Sequence, residues 1–242
     1  MRHVLILALD TSSPCGSLAI LRDCRVIGTV STWTDEIYSS RMFRQLDFLL
    51  GEHSLNLREF NLFAVVAGPG SFTGLRVGLA AAKGWAEVYG TPIAAISGLE
   101  AIAAQSHSPD SVLIAATDAR RGQIYCGRYV RPMNQGDEGL ALEDEERVMD
   151  PAEFADALTG MSENSPLTVI TPVPELVSKM LSDHKVLPAS RVEEASPILA
   201  PLVGRLGYLR AQRGALDDAL TLAASYVRRT DAELKWKAPS EI

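Results

Sequence analysis

The fold of this chain is decided by residues 65–78, VVAGPGSFTGLRVG. An apolar run leads into a glycine-rich loop, and small and apolar residues follow at once. The loop contains three glycines, Gly68, Gly70 and Gly74. Glycine permits tight turns and close backbone approach, and Ser71 or Thr73 can cap the first free N–H groups of a helix. The stretch therefore predicts a buried strand over 61–67, a tight turn and a helix over 75–88.

Such a turn can bind an anion, because the N-terminus of a helix offers free N–H groups and the positive end of the helix dipole. The glycine spacing fits neither a Walker A loop nor a Gly-x-Gly-x-x-Gly motif. The alternative is a turn that needs glycine for structural reasons alone, and the loop by itself favours that alternative.

The predicted helix has small residues at every fourth position, Gly74, Gly78 and Ala82. Glycine inside a helix costs roughly 1 kcal/mol relative to alanine, so its presence there needs a reason. Small side chains let another backbone approach closely. That backbone belongs either to the chain's own sheet or to a partner protein, and the sequence leaves both interpretations open.

The composition is that of an ordinary soluble globular protein. The 242 residues are 47% hydrophobic and carry a net charge of −7, so a basic face that binds nucleic acid without a partner is not expected. The 3 cysteines and 4 histidines show no metal-ligand spacing. The N-terminal apolar run ends at Asp10 and is too short for a signal peptide or a membrane span. A cytoplasmic location without membrane contact is therefore expected.

The segments around the central stretch predict a mixed α/β lobe. An antiparallel meander is expected from three strands, over 4–9, 16–21 and 25–32. A helix over 38–52 follows, because one stripe of it is apolar. This stripe consists of Tyr38, Met42, Leu46 and Leu49. A strand over 92–96 and a helix over 98–105 complete the order β-β-β-α-β-α-β-α.

A polar, turn-rich segment at 106–110 is the expected boundary between two domains, 1–107 and 108–242. The pattern then begins again. The strands that end in Asp10 and Asp118 are each followed by a short turn with glycine and by another strand. We interpret this as a weak internal repeat of one α/β unit.

The remaining elements follow from shorter patterns. Strands are expected over 112–117, 123–131 and 167–171. Helices are expected over 151–159, 175–183 and 197–213. The acidic stretch 134–147 is expected to be a solvated loop or hairpin, and the tail from Ala223 a final strand or an extended arm.

The two strand-end aspartates, Asp10 and Asp118, are candidates for chemistry. Carboxylates at such positions would suit a hydrated magnesium ion or a positioned water molecule. Aspartate at a strand end also commonly caps its own turn. From the residues alone, this local role is the favoured interpretation.

Five segments together resemble one family. In chain order they are ILALDTSS at 6–13, GPGSFTGLRVG at 68–78, SGLEA at 97–101, DAR at 118–120 and YVRR at 226–229. The same segments occur in the same order in the TsaB (YeaZ) proteins, bacterial subunits of the machinery for tRNA threonylcarbamoyladenosine biosynthesis. The run GPGSFTGLR is highly specific to that family, whereas 134–200 adds little support.

The resemblance implies an α/β protein with the actin-like, Hsp70-like, sugar-kinase-like (ASKHA) fold, whose two lobes each hold a mixed sheet and helices. It also implies a non-catalytic role. TsaB-like proteins bind a TsaD-like catalytic subunit and, with a TsaE-like ATPase, support threonylcarbamoyl transfer to the tRNA adenosine next to the anticodon. On this basis tRNA is contacted only through the complex, a homodimer is compatible with the sequence, and no cofactor is implied.

The resemblance further implies that a catalytic site has been lost. The catalytic relative has a His-x-x-x-His metal pair where this chain has Gly98 and Ile102, and neither side chain can bind a metal. Nucleotide-binding members have a glycine turn where this chain has TPVP at 171–174. A vestigial phosphate site would consist of Asp10, Thr11, Gly68, Gly70, Ser71, Thr73, Asp118 and Arg120.

Two hypotheses follow for the function. In the first, the helices over 38–52 and 75–88 bind the catalytic partner. The expected contact residues are Tyr38, Met42, Leu46, Leu49, Gly74, Gly78, Leu79 and Ala82. In the second, the chain is an active phosphotransferase or hydrolase of the same fold, with a nucleotide between Asp10, Asp118 and the loop 68–74.

Overall fold

Two mixed β-sheets and the helices that cover them form the described part of the chain. The structure is a computed structural model. It describes residues 3–34, 36–110, 112–131, 140–162, 167–186 and 190–228. Arg229 and the tail after it, together with part of the acidic stretch, lie outside the described residues. None of the described helices combines the length and the apolar character that crossing a bilayer requires.

The first sheet has the strand order β3-β2-β1-β4-β5. Its strands are β1 (Leu5–Asp10), β2 (Cys15–Arg22), β3 (Arg25–Trp33), β4 (Leu62–Gly68) and β5 (Ile93–Ser97). The first three form the predicted antiparallel meander, whereas β4 and β5 run parallel to β1. Every residue of β4 is buried, which confirms the strand predicted before the glycine-rich loop.

The second sheet repeats this arrangement. Its strands are β6 (Val112–Asp118), β7 (Ile124–Val130), β8 (Ala141–Leu142), β9 (Arg147–Met149), β10 (Leu167–Thr171) and β11 (Ser190–Glu194). An antiparallel partner, β7, lies on one side of β6, and the parallel strands β10 and β11 lie on the other. Because β1 in the first sheet has the same neighbours, the predicted internal repeat is confirmed.

The helices cover the sheets on their outer faces and between them. The described residues form α1 (Tyr38–His53), α2 (Phe72–Tyr89), α3 (Gly98–Ala103), α4 (Pro151–Ser162), α5 (Pro174–Asp183) and α6 (Ala200–Gln212). The helices α1 and α2 pack on one face of the first sheet, around a core that includes Met42, Phe63 and Leu79. The helix α6 contacts all five strands of that sheet, and α4 and α5 share a core with the second sheet.

Several predicted boundaries are corrected by the structure. The helix α2 begins three residues early, at Phe72, because the Ser71 hydroxyl accepts the Gly74 N–H at 3.3 Å. The strand β11 was not predicted, because its sequence SRVEE is polar and forms a strand through pairing with β10. The helix α6 begins at Ala200 rather than 197, the acidic stretch contains β8 and the start of β9, and 223–228 form no strand.

The end of the described chain returns to the first sheet. The Asp217 N–H donates to the Ile93 carbonyl at 2.9 Å, and the Ala95 N–H donates to Asp217 Oδ2 at 2.7 Å. These bonds satisfy backbone groups of β5, an edge strand. Farther along, the Ser225 N–H donates to the Ala67 carbonyl at 2.7 Å. The division into domains at 107/108 stays a prediction.

The close packing of α6 depends on its glycines. A Cβ atom added at Gly207 would lie 2.7 Å from the Cβ of Ala64, and one at Gly204 would lie 2.2 Å from Leu21 Cδ1. Both distances are shorter than carbon atoms tolerate. Since Ala64 belongs to β4 and its Cβ cannot rotate away, only a shift of α6 could relieve the first contact.

Replacing Gly207 with valine is expected to lower the free energy of unfolding by about 1–3 kcal/mol, because α6 must move away from the sheet. Urea unfolding followed by circular dichroism measures the change. Gly160 in α4 is the matched control, since a Cβ atom there meets nothing within 4 Å. Gly160→Val should change the stability by less than about 0.5 kcal/mol. An equal effect of the two substitutions would contradict the packing described for α6.

Candidate functional site

A cleft of about 840 Å³ is lined by residues from both sheets. Its walls come from the turn after β1, the glycine-rich loop, the start of α3, the turn after β6 and the end of the described chain. Representative lining residues are Ser12, Gly70, Leu99, Asp118 and Tyr226. The cleft therefore brings together segments that the sequence analysis singled out separately.

Asp10 lies at the end of β1, two residues before the lining residue Ser12, and is fully buried. Its Oδ1 accepts hydrogen bonds from the Ser12 N–H at 2.8 Å and the Ser12 hydroxyl at 2.6 Å. Its Oδ2 is buried without a hydrogen-bond partner among the described residues. Burial raises the pKa of Asp10 to about 6, although the bonds from Ser12 and the charge of Arg41 act in the opposite direction.

Asp118 occupies the equivalent position at the end of β6 and lines the cleft directly. Its Oδ1 accepts the Arg120 N–H at 2.7 Å, and its Oδ2 lies 3.8 Å from an Arg120 nitrogen. Both aspartates thus close the turn that follows their own strand. Capping of the following turn is the role that the sequence alone favoured for both aspartates. It does not explain why Asp10 Oδ2 is buried without a partner among the described residues.

The glycine-rich loop packs directly on the turn after β1. The Ser71 N–H donates to the Ser12 carbonyl at 2.7 Å, and the Thr11 hydroxyl donates to the Gly74 carbonyl at 2.8 Å. A Cβ atom at Gly74 would lie 2.0 Å from the Thr11 carbonyl oxygen, and one at Gly78 would lie 2.4 Å from Thr11 Oγ1. The chain therefore requires glycine at these two positions, because its own backbone and side chains approach closely there. The Ser71 N–H is already bonded to Ser12 and is not free to bind an anion.

Gly68 and Gly70 have separate reasons to be glycine. Gly68 adopts a φ of +146°, in the region that favours glycine, and a Cβ atom there would lie 2.3 Å from the Ser225 carbonyl oxygen. A Cβ atom at Gly70 would lie 2.6 Å from the Ser12 carbonyl oxygen. Ser71 caps α2, while Thr73 is exposed and lines the cleft.

The residues predicted to contact a partner are buried in the chain's own core. They are Tyr38, Met42, Leu46, Leu49, Gly74, Gly78, Leu79 and Ala82. Even Tyr38 exposes only 8% of its surface. In the folded chain the apolar stripe of each helix packs on its own sheet, so these side chains offer little surface to a partner, and their role as partner contacts stays a prediction.

The outer side of the two helices carries a different set of apolar residues. We call it the α1–α2 face, and it consists of Phe43, Ala80, Gly84, Trp85 and Val88. Phe43 is 51% exposed and Val88 is 73% exposed, while Ala80 and Gly84 are also exposed. Sequence reasoning missed this face because Phe43 and Val88 fall outside the strongest apolar stripes. The signal was present in the repeat Ala80, Gly84 and Val88, which recurs at every fourth position.

A buried arginine supports the cleft wall and was also missed. Arg41 is 2% exposed and lies over the Tyr38 ring, with its guanidinium carbon 3.9 Å from the ring centroid. It donates to the Pro14 carbonyl at 2.9 Å and to the Thr32 carbonyl at 3.2 Å. The signal was a charged residue within the buried stripe of α1.

Metal-binding chemistry has no ligands at the expected positions. Gly98 and Ile102, which stand where the resemblance places the two histidines of the catalytic relative, line the cleft, and neither has a side chain that can bind a metal. Within the described ranges, no group of three or more His, Cys, Asp or Glu side chains could hold a metal ion.

Comparison with known proteins places the chain in a family. The family model described as "TsaD: tRNA N6-adenosine threonylcarbamoyltransferase" matches residues 26–171, more than half of the chain. The tRNA threonylcarbamoyladenosine biosynthesis protein TsaB of Bacillus subtilis is 31% identical, over 96% of this chain and 97% of that protein. The chain belongs to the TsaB (YeaZ) family. The TsaB protein of Haemophilus influenzae is 33% identical, over 57% of this chain and 59% of that protein.

A solved structure confirms the fold of this TsaB-family chain. YeaZ from Pseudomonas aeruginosa superposes with a TM-score of 0.72 at 25% identity, covering 92% of this chain and 99% of that one. Together with the two mixed sheets and their helices, this confirms the predicted actin-like, sugar-kinase-like fold.

The buried carboxyl of Asp10 predicts a specific pH dependence in this TsaB-family chain. Between its ordinary value of 3.8 and the value of about 6 in the folded protein, the folded state binds a proton that the unfolded state does not. The contribution of this carboxyl to stability therefore falls as the pH rises from about 4 to 6, by about 3 kcal/mol at most.

The variant Asp10→Asn lacks this titration. The free energy of unfolding of the variant minus that of the wild type should therefore increase by up to about 3 kcal/mol between pH 4 and pH 7. Urea unfolding of both proteins at the two pH values measures the difference, and effects of all other carboxyls cancel in the comparison. A difference that is the same at both pH values would contradict a raised pKa for Asp10.

Proposed function

We propose that this chain is a non-catalytic scaffold and activator subunit of the complex that transfers threonylcarbamoyl to the tRNA adenosine next to the anticodon. It binds a TsaD-like catalytic subunit through the α1–α2 face. A TsaE-like ATPase belongs to the same assembly, tRNA is engaged within the complex, and the chain acts in the cytoplasm. The single observation that carries the proposal is the exposure of apolar residues on that face.

The shape of the α1–α2 face suits a helix from another protein. Ala80, Gly84 and Val88 form a stripe along α2, and a Cβ atom at Gly84 would meet nothing within 4 Å. Phe43 of α1 contacts Trp85 edge to face, with ring centroids 6.5 Å apart. The small residues thus form a shallow groove along α2, and Phe43 and Trp85 form its wall.

The energetics of the face favour an occupant. Burying an exposed phenylalanine or valine side chain contributes roughly 1.5–3 kcal/mol each. Phe43 and Val88 are both more than half exposed in the isolated chain. Contact with a partner would remove these side chains from water, whereas no interaction within the described chain does so.

The non-catalytic part of the proposal is supported by the cleft. Gly98 and Ile102 stand where the resemblance places the metal-binding histidines of the catalytic relative, and they offer no ligand atom. The relatives from Bacillus subtilis and Haemophilus influenzae are named biosynthesis proteins for the same tRNA modification. A subunit that supports a catalytic relative accounts for both observations.

Gly84→Arg is expected to abolish co-purification with the TsaD-like subunit from the same organism, because a long charged side chain fills the groove on α2. The monomer should stay folded, since a Cβ atom at this position meets nothing. Gly160→Arg is the matched control on α4, again an exposed helical glycine in open space, and it should bind normally. Size-exclusion chromatography of the mixed subunits measures binding, and unfolding curves check both folds.

Normal binding by a folded Gly84→Arg variant would contradict the docking proposal. The same chromatography tests whether the face also pairs two copies of this chain. If the isolated wild type elutes as a dimer, Gly84→Arg should make it a monomer. A dimer that survives the substitution would place the homodimer contact elsewhere.

A second candidate function is nucleotide-dependent phosphotransfer or hydrolysis. One observation favours it, the unpartnered Oδ2 of buried Asp10 next to a cleft large enough for a nucleotide. On the scaffold proposal, Mg-ATP should leave the thermal unfolding midpoint of the isolated chain unchanged. An increase that disappears in Asp10→Asn would instead establish the second candidate.

A further inference from the structure

Three arginines from separate parts of the chain lie at or beside the cleft: Arg120 and Arg228 line it, and Arg76 contacts the lining residues Phe72 and Tyr226. Arg76 comes from α2, Arg120 from the turn after β6, and Arg228 from the end of the described chain. We call them the arginine rim. The Arg76 Nε donates to the Tyr226 hydroxyl at 3.0 Å, and an Arg228 nitrogen lies 3.5 Å from the Arg120 carbonyl oxygen. The two contacts are linked by the chain itself, because Tyr226 and Arg228 are two residues apart.

The rim arginines are held mainly by neutral groups. The guanidinium of Arg76 lies 3.7 Å from the centroid of the Phe72 ring. Arg228 donates to the side-chain carbonyl of Gln123 and lies 5.7 Å from the Tyr125 centroid. Among the ion pairs of the described residues, Arg120 pairs with Asp118 at 3.8 Å, and the Arg120 side chain is 68% exposed.

Four other described arginines are paired with acids, whereas buried Arg41 is held by neutral groups as the rim arginines are. Arg44, Arg128, Arg147 and Arg210 each pair with a carboxylate at 2.6–2.9 Å. For Arg76 and Arg228, the described residues provide aromatic rings and neutral oxygens instead. The rim therefore keeps an excess of positive charge on a chain whose net charge is −7. Planar guanidinium groups oriented in this way are suited to bind phosphate oxygens.

The backbone at the rim is held in an unfavourable conformation. Arg120 has a φ of +64° and Arg121 has a φ of +55°, and Gly122 follows with +73°. The left-handed region costs a residue with a side chain roughly 1–2 kcal/mol. Glycine or asparagine would avoid most of that cost. Strain of this kind collects at functional sites, and here it places arginines at the mouth of the cleft.

Aromatic rings alternate with the arginines. Tyr226 is 41% exposed and stacks on Phe72, with ring centroids 4.7 Å apart. Tyr125 lies beneath Arg228 at the other end of the rim. Tyr125 is 7% exposed, so Tyr226 is the ring of this pair that a base could stack on. Proteins bind unpaired RNA bases and the adjoining phosphates with such combinations of exposed aromatic rings and guanidinium groups.

We propose that the arginine rim binds the phosphate backbone of an RNA strand directly, within the complex described under the proposed function, on which this inference rests. Arg76 contacts Tyr226, and Arg228 contacts the Arg120 backbone, so the arginines follow a line of contacts that suits successive phosphates better than a single free nucleotide. The overall charge of −7 keeps this contact weak in the isolated chain. The catalytic partner supplies the remaining affinity.

The test uses the complex with the TsaD-like subunit and, as the probe, an in vitro transcript of a tRNA with adenosine next to the anticodon. The variant replaces Arg76, Arg120 and Arg228 with glutamine. Each lost phosphate contact makes the negative slope of log affinity against log salt shallower by about 0.7–0.9, so the steepness should decrease by about 2–3. The affinity at low salt should fall by about tenfold or more.

The matched control replaces three exposed arginines away from the cleft, Arg25, Arg58 and Arg213, with glutamine. It removes the same total charge and should leave the salt slope within about 0.5 of the wild type. Complex formation is measured separately by chromatography. A variant that no longer binds the catalytic subunit would then count against the docking proposal, and only RNA affinity of an intact complex bears on the rim.

Three results would overturn the inference. The first is an unchanged affinity and salt slope in the rim variant, and the second is an equal loss in the control. The third is a rim variant that loses binding of ATP, measured by thermal unfolding of the isolated chain, while its affinity for the transcript is unchanged. That result would assign the rim to a small nucleotide.

Discussion

The contact between the glycine-rich loop and the turn after β1 determines much of this structure. It consists of the hydrogen bond from the Ser71 N–H to the Ser12 carbonyl and the close approach of Gly74 and Gly78 to Thr11. Because Gly74 and Gly78 carry no side chains of their own, α2 begins directly against the first sheet. The position of α2 in turn determines how α1 packs beside it and which residues of both helices remain outside.

This constraint gives α2 two different sides. The inner stripe of Gly74, Gly78 and Ala82 is buried by packing within the chain. The outer stripe of Ala80, Gly84 and Val88 is exposed beside Phe43. Only the outer stripe is available to a partner. A helix that is small on both sides can hold its own sheet and a second protein at the same time.

Much of the fold could be predicted from the sequence, because hydrophobic period and glycine placement are local signals. The strand before the loop, the meander and the repeat of strand and aspartate at Asp10 and Asp118 all follow from them. The strand β11 could not be predicted, since SRVEE becomes a strand only through pairing with β10. The contacts of Asp217 with β5 are likewise set by tertiary structure.

The candidate sites were predicted less well. The strongest apolar stripe of a helix, such as that with Met42 and Leu46, indicates the side chains that the helix buries in its own core. The proposed partner surface consists of apolar residues outside that stripe. Which residues are left over depends on how the helices pack, and sequence periodicity does not show this. The arginine rim depends on three distant segments, and its uncompensated charge became visible only when the partners of Arg76 and Arg228 were known.

Hydroxyl-radical footprinting of the chain, alone and with its TsaD-like subunit, tests the central claim most directly. This method measures the solvent exposure of individual side chains. We expect Phe43 and Val88, 51% and 73% exposed in the chain alone, to become protected in the complex, while Leu142 on β8, 48% exposed, keeps its reactivity. Unchanged reactivity of Phe43 and Val88 in a complex that has formed would contradict the account.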